Sequence, residues 1–188
     1  MGRFTREELE AARDVRLPDL LADGLAVLFV GINPGLASAA SRRHFATPGS
    51  RLWPALHRSG FTPRRLAPGE ERELLGCGLG IASLVARPTA RASELTEREF
   101  VEGGRRLRRT VRLRRPGWVA FLGVTGFRAA FGAPRAGVGP QREAIERSRV
   151  WVLPSPSGLN AHYPPEALAQ EFRRLREATG LPDRSTCA

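Results

Sequence analysis

A three-layer α/β/α sandwich around a mostly parallel sheet is the fold class this chain predicts. The apolar runs Ala26 to Ile32, Trp118 to Val124 and Val150 to Leu153 are continuous rather than alternating, as strands buried on both faces require. Segments with helical spacing of apolar residues separate them, so strands alternate with helices. Two polar loops, GINPG after the first run and PSPSGLN after the last, directly follow strands. Open parallel sheets bind ligands at the carboxyl ends of their strands, so these loops are the expected walls of one site.

Thr5 and Glu8 match a capping box and Leu9, Val15 and Leu17 follow, which predicts a short first helix packed on the sheet edge. Ala26 to Ile32 is the first core strand. Leu52, Trp53 and Leu56 have helical spacing, and Gly60 is a natural stop for a helix over Leu52 to Ser59. From Gly76, GCGLGIASLVARP predicts a loop feeding a short strand that Pro88 terminates. Thr96 and Glu99 form a second capping-box match, opening a helix through GGRRLRRTVRLRR, with Phe100, Leu107, Val111 and Leu113 as its apolar stripe. Strands over Trp118 to Val124 and Val150 to Leu153 follow, then a helix from Pro165 to Thr179 patterned on Leu168, Phe172 and Leu175. The last residues, PDRSTCA, are expected to fray.

At 188 residues the chain is the size of a single domain, taken here as 1–188, and no apolar run reaches the length of a membrane span. The N-terminus carries acids early and has no apolar core, so no secretory signal is expected and cytoplasmic residence is the default. Cys77 and Cys187 are too few for a disulfide framework, and no Cys/His cluster has metal-ligand spacing. All thirty basic residues are arginine. A phosphate loop of the nucleotide-kinase type needs a lysine after its glycines, and GINPG is followed by Leu36 and Ala37, so that class is excluded. Schiff-base chemistry through a lysine amine is excluded as well.

The formal charge of +11 points to a polyanionic partner, most simply nucleic acid. Arginine suits phosphate because its planar fork donates two parallel hydrogen bonds and its charge does not titrate away. A generally basic surface with no specific ligand is the competing explanation.

Asn33 stands at the tip of the first strand beside Pro34 and Gly35. Its amide can orient water and donate to a carbonyl but cannot accept a proton as a carboxylate does; a plain turn residue is the alternative. Phe45, in an arginine-flanked loop, is either a stacking surface for a base or a loop anchor. Ser155, Ser157 and His162 raise a serine hydrolase, although the loop lacks the G-x-S-x-G pattern. Leu159, between Gly158 and Asn160, is either a wedge for a DNA stack or an ordinary buried residue.

GINPGL, the spacing on to Phe45, RLWPALHRSGF, LVARPT and VLPSPSGL occur together in the order and spacing of the mismatch-specific uracil/thymine DNA glycosylases, which this chain closely resembles from about Leu25 to Arg174. The resemblance implies an α/β/α sandwich, and no metal or organic cofactor. It implies an enzyme that flips uracil, or thymine opposite guanine, out of double-stranded DNA and cleaves the N-glycosidic bond. Asn33 would position the attacking water and Ile32 would offer a backbone donor to the base. Phe45 would stack on the flipped ring, with Gly31 and Ser38 completing the base pocket. Leu159 would fill the gap, with Gly158 and Asn160 meeting the widowed partner. Arg42, Arg43, Arg51, Ser157 and His162 are the expected DNA-backbone contacts, with the arginines of 105–115 as a second anion surface. Glu94, after LVARPT, is a candidate general base, against the alternative of a solvated helix-start charge.

Two departures bear on specificity. Ala161 stands where the family pattern commonly has a basic residue, and Ser155 where a related pattern has asparagine. A monomer suffices for this chemistry. The competing classes are a non-catalytic nucleic-acid-binding module and a glycosylase of broader base range.

Overall fold

A computed structural model describes residues 4–186. In chain order the elements are α1 (Arg6–Ala11), β1 (Val27–Gly31), α2 (Leu36–Ser41), α3 (Leu52–Arg58), α4 (Glu73–Gly76) and β2 (Leu79–Ser83). They continue with α5 (Glu97–Arg114), β3 (Trp118–Leu122), α6 (Val124–Phe131), β4 (Gly139–Pro140), β5 (Arg149–Leu153) and α7 (Pro165–Thr179). The sheet order is β2-β1-β3-β5-β4, parallel throughout except for β4, which runs antiparallel to β5. The sandwich predicted by the sequence is the fold observed.

Strand alternation divides the interior into two layers. Val27 and Phe29 of β1, Ala120 and Leu122 of β3, and Trp151 and Leu153 of β5 face α3, α4 and α7. Leu28 and Val30, Val119 and Phe121, and Val150 and Val152 face α5 and α6. The predicted stripe of α7 is buried in full, and Phe172 stacks on Phe29 at 5.9 Å between ring centroids. A fully buried phenylalanine of this kind contributes roughly 1.5–3 kcal/mol.

Both predicted capping boxes form. The Thr5 hydroxyl accepts from Glu8 N at 3.1 Å while the Glu8 carboxylate accepts from Thr5 N at 2.7 Å. The Thr96 hydroxyl accepts from Glu99 N at 3.3 Å, with the return bond from Thr96 N at 2.9 Å. In α5, Gly103 and Gly104 occupy interior positions that cost about 1 kcal/mol each against alanine. A Cβ on Gly103 would lie 2.1 Å from Leu84 O, and one on Gly104 would lie 2.9 Å from Ala130 O. Only glycine lets α5 settle this closely on the end of β2 and on α6.

Several expectations are corrected. The first helix packs mainly on α2, not on the sheet edge; the β2 edge is instead met by Leu20, which exchanges two backbone bonds with Ile81. β2 ends at Ser83, before Pro88, because Leu84 and Val85 turn to donate to Gly31 O and Ile32 O at 2.8 Å. The second run, Trp118 to Val124, stops at Leu122: Gly123 adopts φ 113°, and Val124 opens α6. Leu113 is 75% exposed and lies off the α5 stripe. α2, α4, α6 and β4 were not expected. The C-terminal segment is docked as far as it is described: Arg184 N donates to Gly60 O at 2.9 Å, and Asp183 lies 3.7 Å from Arg176. Cys187 lies outside the described residues. Among them, no helix is long and apolar enough to cross a membrane.

Candidate active site

The GINPG and PSPSGLN loops form opposite walls of one cleft of about 600 Å³ at the carboxyl ends of β1 and β5. Gly31, Ile32, Asn33, Ser38, Phe45, Ser157, Gly158 and Leu159 line it, whereas Asn160 and His162 do not.

Asn33 leaves the end of β1 with its amide already oriented. Nδ2 donates to Arg87 O at 2.9 Å and to the Thr89 hydroxyl at 2.7 Å, with a longer contact of 3.3 Å to Pro34 O. Of the two ends of the amide only the nitrogen can donate to the Arg87 carbonyl, so the amide cannot be flipped. Oδ1 accepts no hydrogen bond among the described residues and remains an open acceptor. Thr89 is 2% exposed and its N–H donates to Pro34 O at 3.2 Å. The LVARPT segment therefore clamps the GINPG turn from behind, a function its motif did not declare. Arg87 is itself fixed by a two-pronged pair with Glu99, at 2.7 and 3.0 Å. That guanidinium holds the Glu99 carboxyl down to about 2.

Phe45 is half-buried in the left-handed region, at φ 50°. Its ring lies against Gly31, where an added Cβ would be 3.3 Å from Cζ. A side chain at position 31 would therefore press into the ring. The loop carrying Phe45 is held by Ala46 N donating to the buried Ser38 hydroxyl at 3.0 Å, and by Trp53 Nε1 donating to Phe45 O at 3.4 Å. Phe45 packs on the core and also lines the cleft, so anchoring and presentation are combined. The Ile32 side chain packs on Gly126 of α6, which leaves its main chain at the cleft.

On the opposite wall Leu159 is 94% exposed, so burial in the core is excluded. The loop beneath it is stapled: Leu159 N donates to the Ser157 hydroxyl at 3.2 Å, Asn160 N to Ser157 O at 3.1 Å and Asn160 Nδ2 to Ser155 O at 3.0 Å. Gly158 lies against Gly49, where a Cβ would be 2.7 Å from Gly49 O, so the PSPSGLN loop abuts the loop that carries Phe45.

Arg51 differs from its expected phosphate contact. Its guanidinium donates to Ser157 O, to Asn160 O at 2.8 Å and to Tyr163 O at 2.6 Å, and its backbone N–H donates to Pro156 O at 2.8 Å. With its donors turned onto carbonyls, Arg51 is the clasp of the Leu159 loop. Arg42 and Arg43 are exposed and form no ion pair with a described carboxylate, and Arg43 lies over Gly69. Ser157 and His162 are exposed. Neither Ser155 nor Ser157 is hydrogen-bonded to an imidazole, so the serine-hydrolase arrangement is not assembled.

Glu94 is also corrected. It does not line the cleft: one carboxylate oxygen accepts from Arg13 at 2.9 Å and the other from Arg91 N at 2.8 Å. Arg13 first, then the Arg91 N–H, hold its carboxyl below the usual range, which makes it a weaker base still. No carboxylate lines the cleft among the described residues.

Sequence reasoning missed His44 and Ser50. Both line the cleft. His44 is 5% exposed with Nε2 at 3.0 Å from Pro18 O, and burial pushes its pKa down, favouring the neutral imidazole. The Ser50 hydroxyl is buried with no hydrogen-bond partner among the described residues. Composition could not flag either, because nothing in the local pattern says which loop residue turns inward.

The arginines of 105–115 are partly neutralised: Arg106 pairs with Asp19 at 3.3 Å, Arg112 with Glu146 at 3.4 Å and Arg114 with Asp23 at 2.8 Å. Their carboxyl-terminal members precede β3 and so lie at the end of the sheet opposite the cleft. The family model of the Uracil DNA glycosylase superfamily matches residues 18–177, which takes in both walls of the cleft and the Asn33 clamp.

Proposed function

This chain belongs to the uracil DNA glycosylase superfamily, and is therefore a DNA glycosylase that hydrolyses the N-glycosidic bond of uracil; within that class we propose the mismatch-specific type, acting on uracil or thymine flipped from opposite guanine. The observation that carries the mechanism is the Asn33 amide, held by Arg87 O and Thr89 with Oδ1 open. The extruded base enters between Phe45, which stacks on its face, and the main chain at Ile32. Oδ1 of Asn33 accepts from a water placed at the sugar C1′.

With no carboxylate of the described residues on the cleft wall, no strong base deprotonates that water early. The C1′–N1 bond therefore loosens first, and its electron pair leaves with the base. The sugar takes on oxocarbenium character, and preorganised backbone donors stabilise the departing anion. Water then adds its oxygen to C1′, and its proton is released to solvent or to the departing base. With no lysine in the chain, the product is an abasic site without a lysine-dependent strand break. Leu159, exposed on a stapled loop, enters the space left by the base.

The test is incubation with duplexes carrying uracil opposite guanine, uracil opposite adenine or thymine opposite guanine, with free base and abasic sites quantified. Release of uracil opposite guanine without strand nicking is expected. Binding to all three with release from none would reassign the chain to a non-catalytic module. A broader range of excised bases is the second reading, favoured by the altered PSPSGLN loop, in which Ser155 lines the cleft where a related pattern has asparagine.

A further inference from the structure

A second cavity, of about 450 Å³, opens at the other end of the sheet. It is lined by Arg112, Arg115 and Arg147, by Glu146, and by the chain at Pro116–Gly117 and Ser148. The β3 and β5 strands, which begin just after these segments, end at the cleft. Five residues at strand rise separate the two sites by roughly 17 Å of strand alone.

The cavity is a built feature. Its walls are the last turn of α5 and the tight turn between Ile145 and Ser148, whose backbones bond each other in both directions at 3.1 and 3.0 Å. Ser148 Oγ donates to Pro116 O at 2.5 Å and Arg149 N to Gly117 O at 3.1 Å, so the two walls are tied together. Arg115 and Glu146 both adopt the left-handed backbone, at φ 49° and 56°. Three guanidiniums meet one carboxylate, and that carboxylate is engaged by Arg112 at 3.4 Å. Arg115 and Arg147 form no ion pair with a described carboxylate and are exposed. The cavity thus has an excess positive charge and donors of planar geometry, which suits a phosphodiester.

We infer that this cavity binds the phosphate backbone of a second DNA segment while the cleft holds the first. The inference rests on DNA being the ligand of the cleft. One straight duplex across the carboxyl ends of the strands does not reach their amino ends, so the second contact belongs to another segment. The consequence is a protein able to bridge two stretches of DNA and to pass between them during search.

The experiment seats the full chain on an immobilised short duplex containing an abasic site and measures capture of a second, undamaged fluorescent duplex. The wild type captures it. Capture by the double variant Arg115→Ala/Arg147→Ala falls at least tenfold, and the dependence of log affinity on log salt loses about two units of slope, near one per phosphate contact removed. Glu146→Gln, which frees Arg112, moves capture the other way and so separates charge from folding. If the double variant does not fold, Arg147→Glu alone, on the exposed turn, gives the same reading. Single-turnover uracil excision is unchanged in all of them. Tripolyphosphate competes with the second duplex. Wild-type capture that is absent, or that survives the double variant, overturns the proposal; so does binding of tripolyphosphate with no capture of duplex, which would assign the cavity to a free phosphoanion. Loss of excision by the wild type would instead overturn the reading of the cleft and leave the capture measurement standing.

Discussion

The amide of Asn33 donates to the hydroxyl of Thr89 at 2.7 Å, joining the tip of β1 to a buried residue 56 positions further along the chain. Together with the bond to Arg87 O, this contact decides which atom of the amide faces the cleft. Thr89→Val keeps the shape and removes the hydroxyl. The lost bond is worth about 1 kcal/mol. The single-turnover excision rate should fall roughly fivefold with little change in duplex affinity, as measured by rapid quench and by anisotropy.

Leu159 tests the opposite wall. Being 94% exposed, it contributes nothing to the core, so Leu159→Ala should leave the melting temperature unchanged. If the side chain is buried in the DNA stack on binding, its loss removes roughly 1.5–3 kcal/mol. Excision from duplex DNA should then drop about ten- to hundredfold, while excision from single-stranded DNA, which has no stack to hold open, is spared.

Arg51 ties the same loop from beneath. Its fork reaches three carbonyls, a geometry the single ammonium of lysine cannot reproduce. Arg51→Lys should therefore raise amide exchange across 156–163 and cost about 2 kcal/mol of loop stability. Weaker DNA binding with unchanged loop protection would show that Arg51 contacts phosphate after all.

Glu94→Gln should leave excision within about twofold of wild type, because the carboxylate is engaged by Arg13 and Arg91 N and does not reach the cleft. A large loss in the rate at saturating DNA would restore it as a base.

The pH dependence of stability has two separate windows. Burial lowers the pKa of His44 in the fold, so the unfolded chain takes up its proton first as pH falls. Stability should therefore decline as pH drops below the ordinary histidine value of 6.5, and His44→Gln should flatten that part of the profile in chemical denaturation. Glu99, held to about 2 by Arg87 and by the Thr96 N–H, acts lower. Its contribution is present above the ordinary 4.5 and is lost as pH falls towards 2.

The buried strands and the two capped helices were legible because each is dictated locally, by continuous apolar runs and by Thr-x-x-Glu spacing. The junctions were not. Val124 reads as an extension of the β3 run until Gly123 turns the chain, and α2 has no side-chain cap to announce it. At the site, Asn33, Phe45 and Leu159 were legible as polar or exposed exceptions in otherwise patterned sequence. Arg51 and Glu94 show what spacing cannot supply: a charge in a loop motif looks free until its partners, Ser157 O and Asn160 O for one and Arg13 for the other, are brought up by the fold, and for Glu94 that favours the alternative to a general base. Thr89 and His44 were missed because their importance lies in contacts with Asn33 and Pro18 that spacing does not encode.

Asn33 directs water to the sugar in a cleft that none of the described carboxylates lines. Single-turnover release of uracil from a duplex with uracil opposite guanine, compared between the wild type and Asn33→Ala, tests it most directly. The wild type should release uracil and the variant should lose at least a hundredfold in rate, with duplex binding retained. Equal rates in the two proteins would contradict it.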